Sequence, residues 1–158
     1  MSSYSVYCWN VGHGEATLLV FKDVDDIDKV HVVDFGTNPP LEKHVENAVR
    51  EASEIVNRSG RVDVFITHLH YDHYSLIPYV MGSKGIDNLY LPTIPEPKDI
   101  REAVAYFLAL QAVILEKSEL VLDKIAGKTR KAYLVARGKE FPVTSRVSVR
   151  VLWPPPQL

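Results

Sequence analysis

Apolar positions recur along the chain with two different periods. Tyr4 to Trp9 and Ala16 to Phe21 read as strands, and the turn between them is bracketed by Gly12 and Gly14, which predicts a hairpin. An acidic loop follows from Asp23 to Asp28. Val30 to Val33 is a third strand that delivers Asp34 at its end, and Asn38-Pro39-Pro40 opens a helix. From Leu41 the apolar residues fall at Leu41, Val45, Ala48, Val49, Ala52, Ile55 and Val56, a helical period that stops before Gly60. The opposite face carries Glu42, Lys43, Glu46, Arg50 and Glu54, so this helix buries one side. Val62 to Ile66 has bulky side chains on both faces, as expected for a strand in the middle of a covered sheet. It runs directly into Thr67-His-Leu-His-Tyr-Asp-His73. Beyond it the pattern predicts a short helix over Ser75 to Val80, a strand over Asn88 to Leu91, and a Pro-rich turn from Pro92 to Pro97. A long helix then runs from about Lys98 toward Ile125. Arg146 to Trp153 alternates strictly, with Val147, Val149, Val151 and Trp153 on one face, until Pro154-Pro155-Pro156 stops it.

Strands and helices therefore alternate without repeat, low-complexity tract or linker, which favours one layered α/β domain over residues 1–158 rather than a bundle or an all-β sandwich. The composition fits that picture: 158 residues, 46% hydrophobic and 24% charged, exclude disordered and collagen-like classes. The apolar run from Ala103 to Leu115 is shorter than the ~20 residues a membrane-spanning helix needs. It is expected to be buried on two sides, the second side by an oligomer, by a further half of the domain or by the chain's own loops. A single cysteine, Cys8, allows no internal disulfide, and the first residues have no signal-peptide pattern, so a cytoplasmic location is expected. Net charge is −2, which gives no global attraction to nucleic acid. A local basic run does stand out: Lys124, Lys128, Arg130, Lys131, Arg137 and Lys139 occur with no acid among them. It reads as a solvated loop or as a phosphate-tracking patch near an active-site mouth.

The chemistry concentrates in one place, because His68, His70, Asp72 and His73 bring three of the chain's six histidines into the pattern His-x-His-x-Asp-His. Residues two apart on an extended segment point to one side, so His68 and His70 are spaced to grip one ion as the strand ends. Asp72 and His73 lie where the chain turns toward a helix and face a second position, which suits a two-metal site. Imidazole and carboxylate without cysteine match Zn2+ best, and Mn2+ or Fe2+ accept the same ligand types. A catalytic ion also needs a position left for water, whose pKa it lowers toward neutrality. As ordinary structure, the same residues would be polar positions at a strand-to-helix turn with Asp72 as helix cap. His13, between two glycines, is a weaker candidate for approach to a substrate or metal. Tyr71 and Tyr74 flank the motif as pocket walls or as core.

His68-Leu-His-Tyr-Asp-His73 after an apolar strand resembles the signature of the metallo-β-lactamase fold superfamily. Asn10-Val-Gly-His-Gly-Glu-Ala-Thr-Leu-Leu19 resembles the Val-Gly-Gln-Gly-Asp-Ala segment of its competence-type, ComEC-like branch, with His13 and Glu15 in place of Gln and Asp. Leu152-Trp-Pro-Pro155 also looks like that branch. Val32-Val-Asp-Phe-Gly36 matches the strand-ending Asp-x-Gly, so Asp34 is expected to support the metal loop rather than bind the ion. The resemblance implies an α/β (α+β) fold, namely the first half of an αββα sandwich with a mixed sheet and flanking helices. It implies that His68 and His70 bind one metal and that Asp72 and His73 bind the second, with Asp72 also orienting the attacking water. The implied activity is metal-dependent hydrolysis. A phosphodiester, most simply nucleic acid, is the expected substrate, and a small-molecule ester, thioester or lactam, or a non-catalytic metal-binding half-domain, are the alternatives. Two departures matter. Tyr74-Ser75 stands where Gly-Gly usually follows the motif, and is expected to narrow the site. No histidine follows His73 and no Gly-Asp pair follows the motif, so the remaining ligands are expected from a missing C-terminal half or a partner subunit.

Overall fold

The computed structural model describes residues 3–22, 29–38, 43–92, 119–142 and 147–152. Its centre is a six-stranded mixed sheet in the sequential order β1 (Ser3–Cys8), β2 (Ala16–Lys22), β3 (Lys29–Phe35), β4 (Arg61–Phe65), β5 (Ile86–Pro92) and β6 (Thr129–Val135). The first three strands are antiparallel, as the short β1–β2 turn requires. From β3 onward the pairs are parallel, each needing a crossover. The crossover from β3 to β4 is α1 (Lys43–Arg58), and that from β4 to β5 holds α2 (Tyr71–Tyr74) and α3 (Ile77–Met81). A separate antiparallel pair, β7 (Glu140–Pro142) and β8 (Ser148–Arg150), completes the described elements. No helix among the described residues is long and apolar enough to cross a membrane.

The period of each element decides which face it buries. Leu18, Val20, Val30, Val32, Val62 and Val64 project to one face of the sheet and meet Val45, Ala48, Ala52 and Val56 of α1 and Ile77, Val80 and Met81 of α3. Each fully buried valine or isoleucine in this layer is worth roughly 1.5–3 kcal/mol. Ala48 and Ala52 let the helix approach the sheet, and Ser53 Oγ donates to the Val80 carbonyl (2.7 Å), tying α1 to α3. The opposite face is aromatic where β7 crosses it: Phe65 and Tyr90 stack at 4.3 Å between ring centroids, Tyr133 continues the stack, and Phe141 of β7 rests on Tyr90 at 4.5 Å.

Several expectations need correction or relocation. The basic run is a loop only at Arg137 and Lys139, because Thr129–Val135 forms the sixth strand, paired with β5, and residues 119–128 are helical. Its hydrophobic signal is diluted by Arg130 and Lys131 on a sheet-edge strand, where charged side chains cost little. The short helix over Ser75 to Val80 becomes two shorter ones that begin earlier, at Tyr71. Tyr74 and Ser75 do not narrow the site. Tyr74 is 2% exposed within the core, and Ser75 Oγ turns inward to exchange hydrogen bonds with the Thr37 backbone. The acidic loop, the opening of α1 at Pro39-Pro40, the Pro-rich turn, the helix as far as residue 118 and the terminal Trp153-Pro-Pro-Pro156 lie outside the described residues. Alternation over 147–152 holds as expected, with Val147, Val149 and Val151 half-buried and Ser148, Arg150 and Leu152 exposed.

Candidate metal centre

The carboxyl-terminal ends of β3 and β4 lie side by side, and everything in the motif depends on what happens there. Asp34 closes β3 at φ 50°, the left-handed region that a residue other than glycine occupies at a cost of roughly 1 kcal/mol. The turn drives its carboxylate, 3% exposed, toward the end of β4. Asp34 Oδ1 accepts the Thr67 backbone N–H (2.8 Å), and Oδ2 accepts both the Thr67 hydroxyl (2.5 Å) and Nδ1–H of His73 (2.9 Å). Hydrogen bonds to a charged acceptor of this kind are each stronger than neutral ones and offset the backbone cost.

This network assigns the imidazole tautomers. A carboxylate only accepts, so His73 carries its proton on Nδ1 and presents the Nε2 lone pair outward. The Thr67 hydroxyl proton is committed to Asp34, so the 3.0 Å contact between Thr67 Oγ1 and His68 Nδ1 makes the imidazole the donor. His68 therefore also presents Nε2. The ring centroids of His68 and His73 are 3.7 Å apart, and those of His68 and His70 4.6 Å. Burial, followed by the neighbouring His73 and His70, pushes the His68 pKa below its ordinary value, which keeps the ring in the neutral form a metal requires.

Asp34, His68 and His73 each offer a ligand atom within 4.8 Å of the others, and among the described residues this is the one such group. The donor chemistry of two imidazoles and a carboxylate fits a divalent cation of the zinc type. Asp34 also accepts three hydrogen bonds through its two oxygens, which tie it to Thr67 and His73. The pairing anticipated from spacing, His68 with His70 and Asp72 with His73, becomes a tighter cluster in which His68 lies nearer His73 than His70. Asp72 Oδ2 is 3.9 Å from His73 Nε2 at the partly exposed rim, and His70 is exposed. Asp72 does not cap a helix. The residue before α2 is His70, and no side chain bonds the helix start.

Two glycines explain how the loops come so close. A Cβ on Gly36 would lie 2.6 Å from the Asp72 carbonyl carbon, and one on Gly14 would lie 2.1 Å from the Gly36 oxygen. Backbone hydrogen bonds run from Gly36 N–H to the Glu15 carbonyl (2.9 Å) and from Glu15 N–H to the Asp72 carbonyl (3.3 Å), so the β1–β2 turn, the end of β3 and the motif form one backbone stack. Gly12 adopts φ 74° and donates its N–H to Asn10 Oδ1, which shapes that turn. His13 is exposed and outside the metal-capable group, its carbonyl accepting from Asn38 N–H. Thr67 was the residue missed by sequence reasoning. Its signal was its position, a hydroxyl immediately before the first histidine and one strand away from a strand-ending aspartate.

A scan against protein-family models and a search of curated proteins each return no match to the chain. The class defined by the structure is thus an α+β domain built on a mixed six-stranded sheet, with a His/Asp cluster able to hold a metal at the ends of two parallel strands.

Proposed function

We propose that the chain is a metal-dependent hydrolase domain of metallo-β-lactamase type acting on a phosphodiester, with nucleic acid as its substrate class. The observation that carries the reading is the Asp34–Thr67 network, in which a buried carboxylate at a left-handed backbone position holds the imidazoles of His68 and His73 beside each other. The hydrolytic step and the branch come from the resemblance of the motif and of the Val11-Gly-His-Gly-Glu15 segment. A divalent cation held there would supply Lewis acidity and lower the pKa of an adjacent water toward neutrality. Asp72, partly exposed beside His73, would accept a hydrogen bond from that water and orient it, and His70 would supply a further imidazole at the rim. No histidine follows His73 in the sequence, so additional imidazole ligands would come from another polypeptide segment.

The substrate class receives partial support from charge. Because β4 and β6 run in the same direction, Arg137 and Lys139, just beyond Val135, are at the motif's end of the sheet. Lys128, Arg130 and Lys131 lie at the opposite end. Arg130 already pairs with Asp87 at 3.3 Å, and Lys128 Nζ donates to the Gly82 carbonyl. Only the first pair is positioned to meet a polyanion near the cluster.

The test loads the protein with Zn2+ or Mn2+, removes the excess, and measures bound metal alongside hydrolysis of bis(p-nitrophenyl) phosphate and p-nitrophenyl acetate. The expected result is metal-dependent phosphodiester cleavage that His68→Ala abolishes. Faster cleavage of the acetate would replace the substrate class, and bound metal without either activity would leave a non-catalytic metal-binding module.

A further inference from the structure

The described sheet ends on two edges, and they are built differently. The edge strand β6 carries Arg130 and Lys131, charges of the kind that keep an edge from pairing with another chain. The other edge, β1, has none. Ser3-Tyr-Ser-Val-Tyr-Cys8 contains no charged residue, proline or glycine, and its register with β2 runs unbroken from Ser3 to Cys8. All of its residues are exposed, Tyr4 at 71% and Val6 at 54%. An unbroken, uncharged edge strand is a template for a further strand.

The hydrogen bonds on its inner side fix which backbone groups that template offers. Trp9 N–H donates to the Ala16 carbonyl (3.1 Å), the residue directly opposite when the β1–β2 register is extended by one step, so these two form a hydrogen-bonded pair. Bonded and non-bonded pairs alternate in an antiparallel ladder. Tyr7, Ser5 and Ser3 therefore bond to β2, and the N–H and C=O groups of Tyr4, Val6 and Cys8 point away from the sheet. Among the described residues no strand lies on that side. The side chains alternate as well. Tyr7 stacks on Trp9 at 5.9 Å, and Trp9 Nε1–H donates to Glu51 of α1, so both rings stand on the α1 face while Tyr4 and Val6 stand on the other.

We propose that β1 pairs antiparallel with β1 of a second copy of this chain, about a two-fold axis perpendicular to the sheet. Such an axis keeps α1 of both copies on one side, so residues directly opposite each other must both be odd-numbered or both even-numbered. Centred on Val6, it sets Val6 against Val6, Tyr4 against Cys8 and Ser5 against Tyr7. That register places Tyr4, Val6 and Cys8 of both strands in hydrogen-bonded pairs and opposes no like charges. The groove beside β1 adds charge complementarity, because Glu51, Glu54 and Arg58 of α1 line it. The helix returns from the end of β3 to the start of β4, which is antiparallel to β1, so Glu51 lies at the Trp9 end and Arg58 toward the Ser3 end. The two-fold brings the acidic end of one groove toward the basic end of the other. An isologous contact of this kind closes at two copies. The β1–β2 turn packs on the motif, so antiparallel pairing sets the two metal centres at opposite ends of the joined sheet, and the proposal stands without the hydrolase reading.

Two six-residue strands bury less than the ~1,200 Å2 of a standard interface, so the dimer is expected to be weak, with Kd on the order of 10 μM. Sedimentation velocity from about 1 to about 100 μM should carry the wild type from monomer to dimer. Val6→Lys sets two ammonium groups directly opposite each other at an exposed position, and should weaken association at least about tenfold with metal binding unchanged. The register is read by oxidative cross-linking in a Cys8→Ser background. Val6→Cys should give a covalent dimer, since a hydrogen-bonded pair holds its Cα atoms about 5.5 Å apart, within disulfide reach. Ser5→Cys should not, because Ser5 faces Tyr7. Should Val6→Lys fail to melt cooperatively, the wild-type sedimentation and the cross-linking pair still decide. A wild type that stays monomeric at about 100 μM, a dimer that a folded Val6→Lys leaves intact, or cross-linking through Ser5→Cys in place of Val6→Cys overturns the proposal.

Discussion

Two clusters of polar side chains among the described residues sit on one sheet and are built in opposite ways. At the ends of β3 and β4, His68, His70, Asp72 and His73 fall within one short stretch, and their side chains face solvent or its margin. Across the opposite face, His31, Asp63 and Asn88 come from three strands, are buried, and have no neighbours in sequence that share their role. The first arrangement keeps lone pairs accessible and spends a buried carboxylate on orienting them. The second buries its polar atoms and leaves one of them, His31 Nδ1, unpaired among the described residues. Accessible nitrogen lone pairs suit a cation, whereas a buried acceptor with no accessible surface is closed to any ligand.

The strongest way to break that contrast is to disturb the backbone stack under the metal centre alone. Gly36→Ala places a methyl group 2.6 Å from the Asp72 carbonyl carbon, with backbone rather than a flexible side chain on the other side. A loss of about 3 kcal/mol or more is expected in urea unfolding, together with loss of metal binding. Asp34→Asn is gentler, because asparagine tolerates the left-handed backbone. It cannot, however, serve both Thr67 and His73 as a charged acceptor. Metal affinity should fall about 10- to 100-fold by calorimetry, and Asp34→Ala should fall further because it adds the backbone penalty.

His31 sharpens the comparison through pH. Its ordinary value of 6.5 applies to the unfolded chain, and burial takes it to about 4 in the folded protein. Between those values the unfolded state binds more protons, so the contribution of His31 to stability is complete above about 6.5 and is lost as pH falls toward 4. The loss is about 3 kcal/mol, read as the difference between the unfolding free energies of the wild type and His31→Phe over that range. The smallest effect is expected for Arg130→Ala, since its exposed pair with Asp87 contributes at most about 1 kcal/mol. Metal binding should not change.

The same contrast explains what was legible in the sequence. The helix α1 and strands β2 to β5 follow from hydrophobic period, and Asp34 and the histidine motif are visible because strand ends and local spacing place them. Strand β6 was hidden because its charged residues made it resemble a loop, and only pairing with β5 defines it. Tyr74 and Ser75 were misplaced because the start of α2 at Tyr71 rotates them inward, which no composition reveals. Thr67 acquires its role only when β3 and β4 lie in parallel, and His31 only when Asp63 and Asn88 arrive beside it. Local pattern carries the candidate metal-binding residues, while long-range register carries what orients them.

The most direct measurement is of the histidine tautomers, by long-range proton–nitrogen correlation spectra of the imidazole rings before and after adding Zn2+. The account predicts that His68 and His73 carry a proton on Nδ1, and that Zn2+ shifts their Nε2 resonances and leaves His31 unaffected. Protons found on Nε2 of both rings, or spectra unchanged by Zn2+, would contradict it.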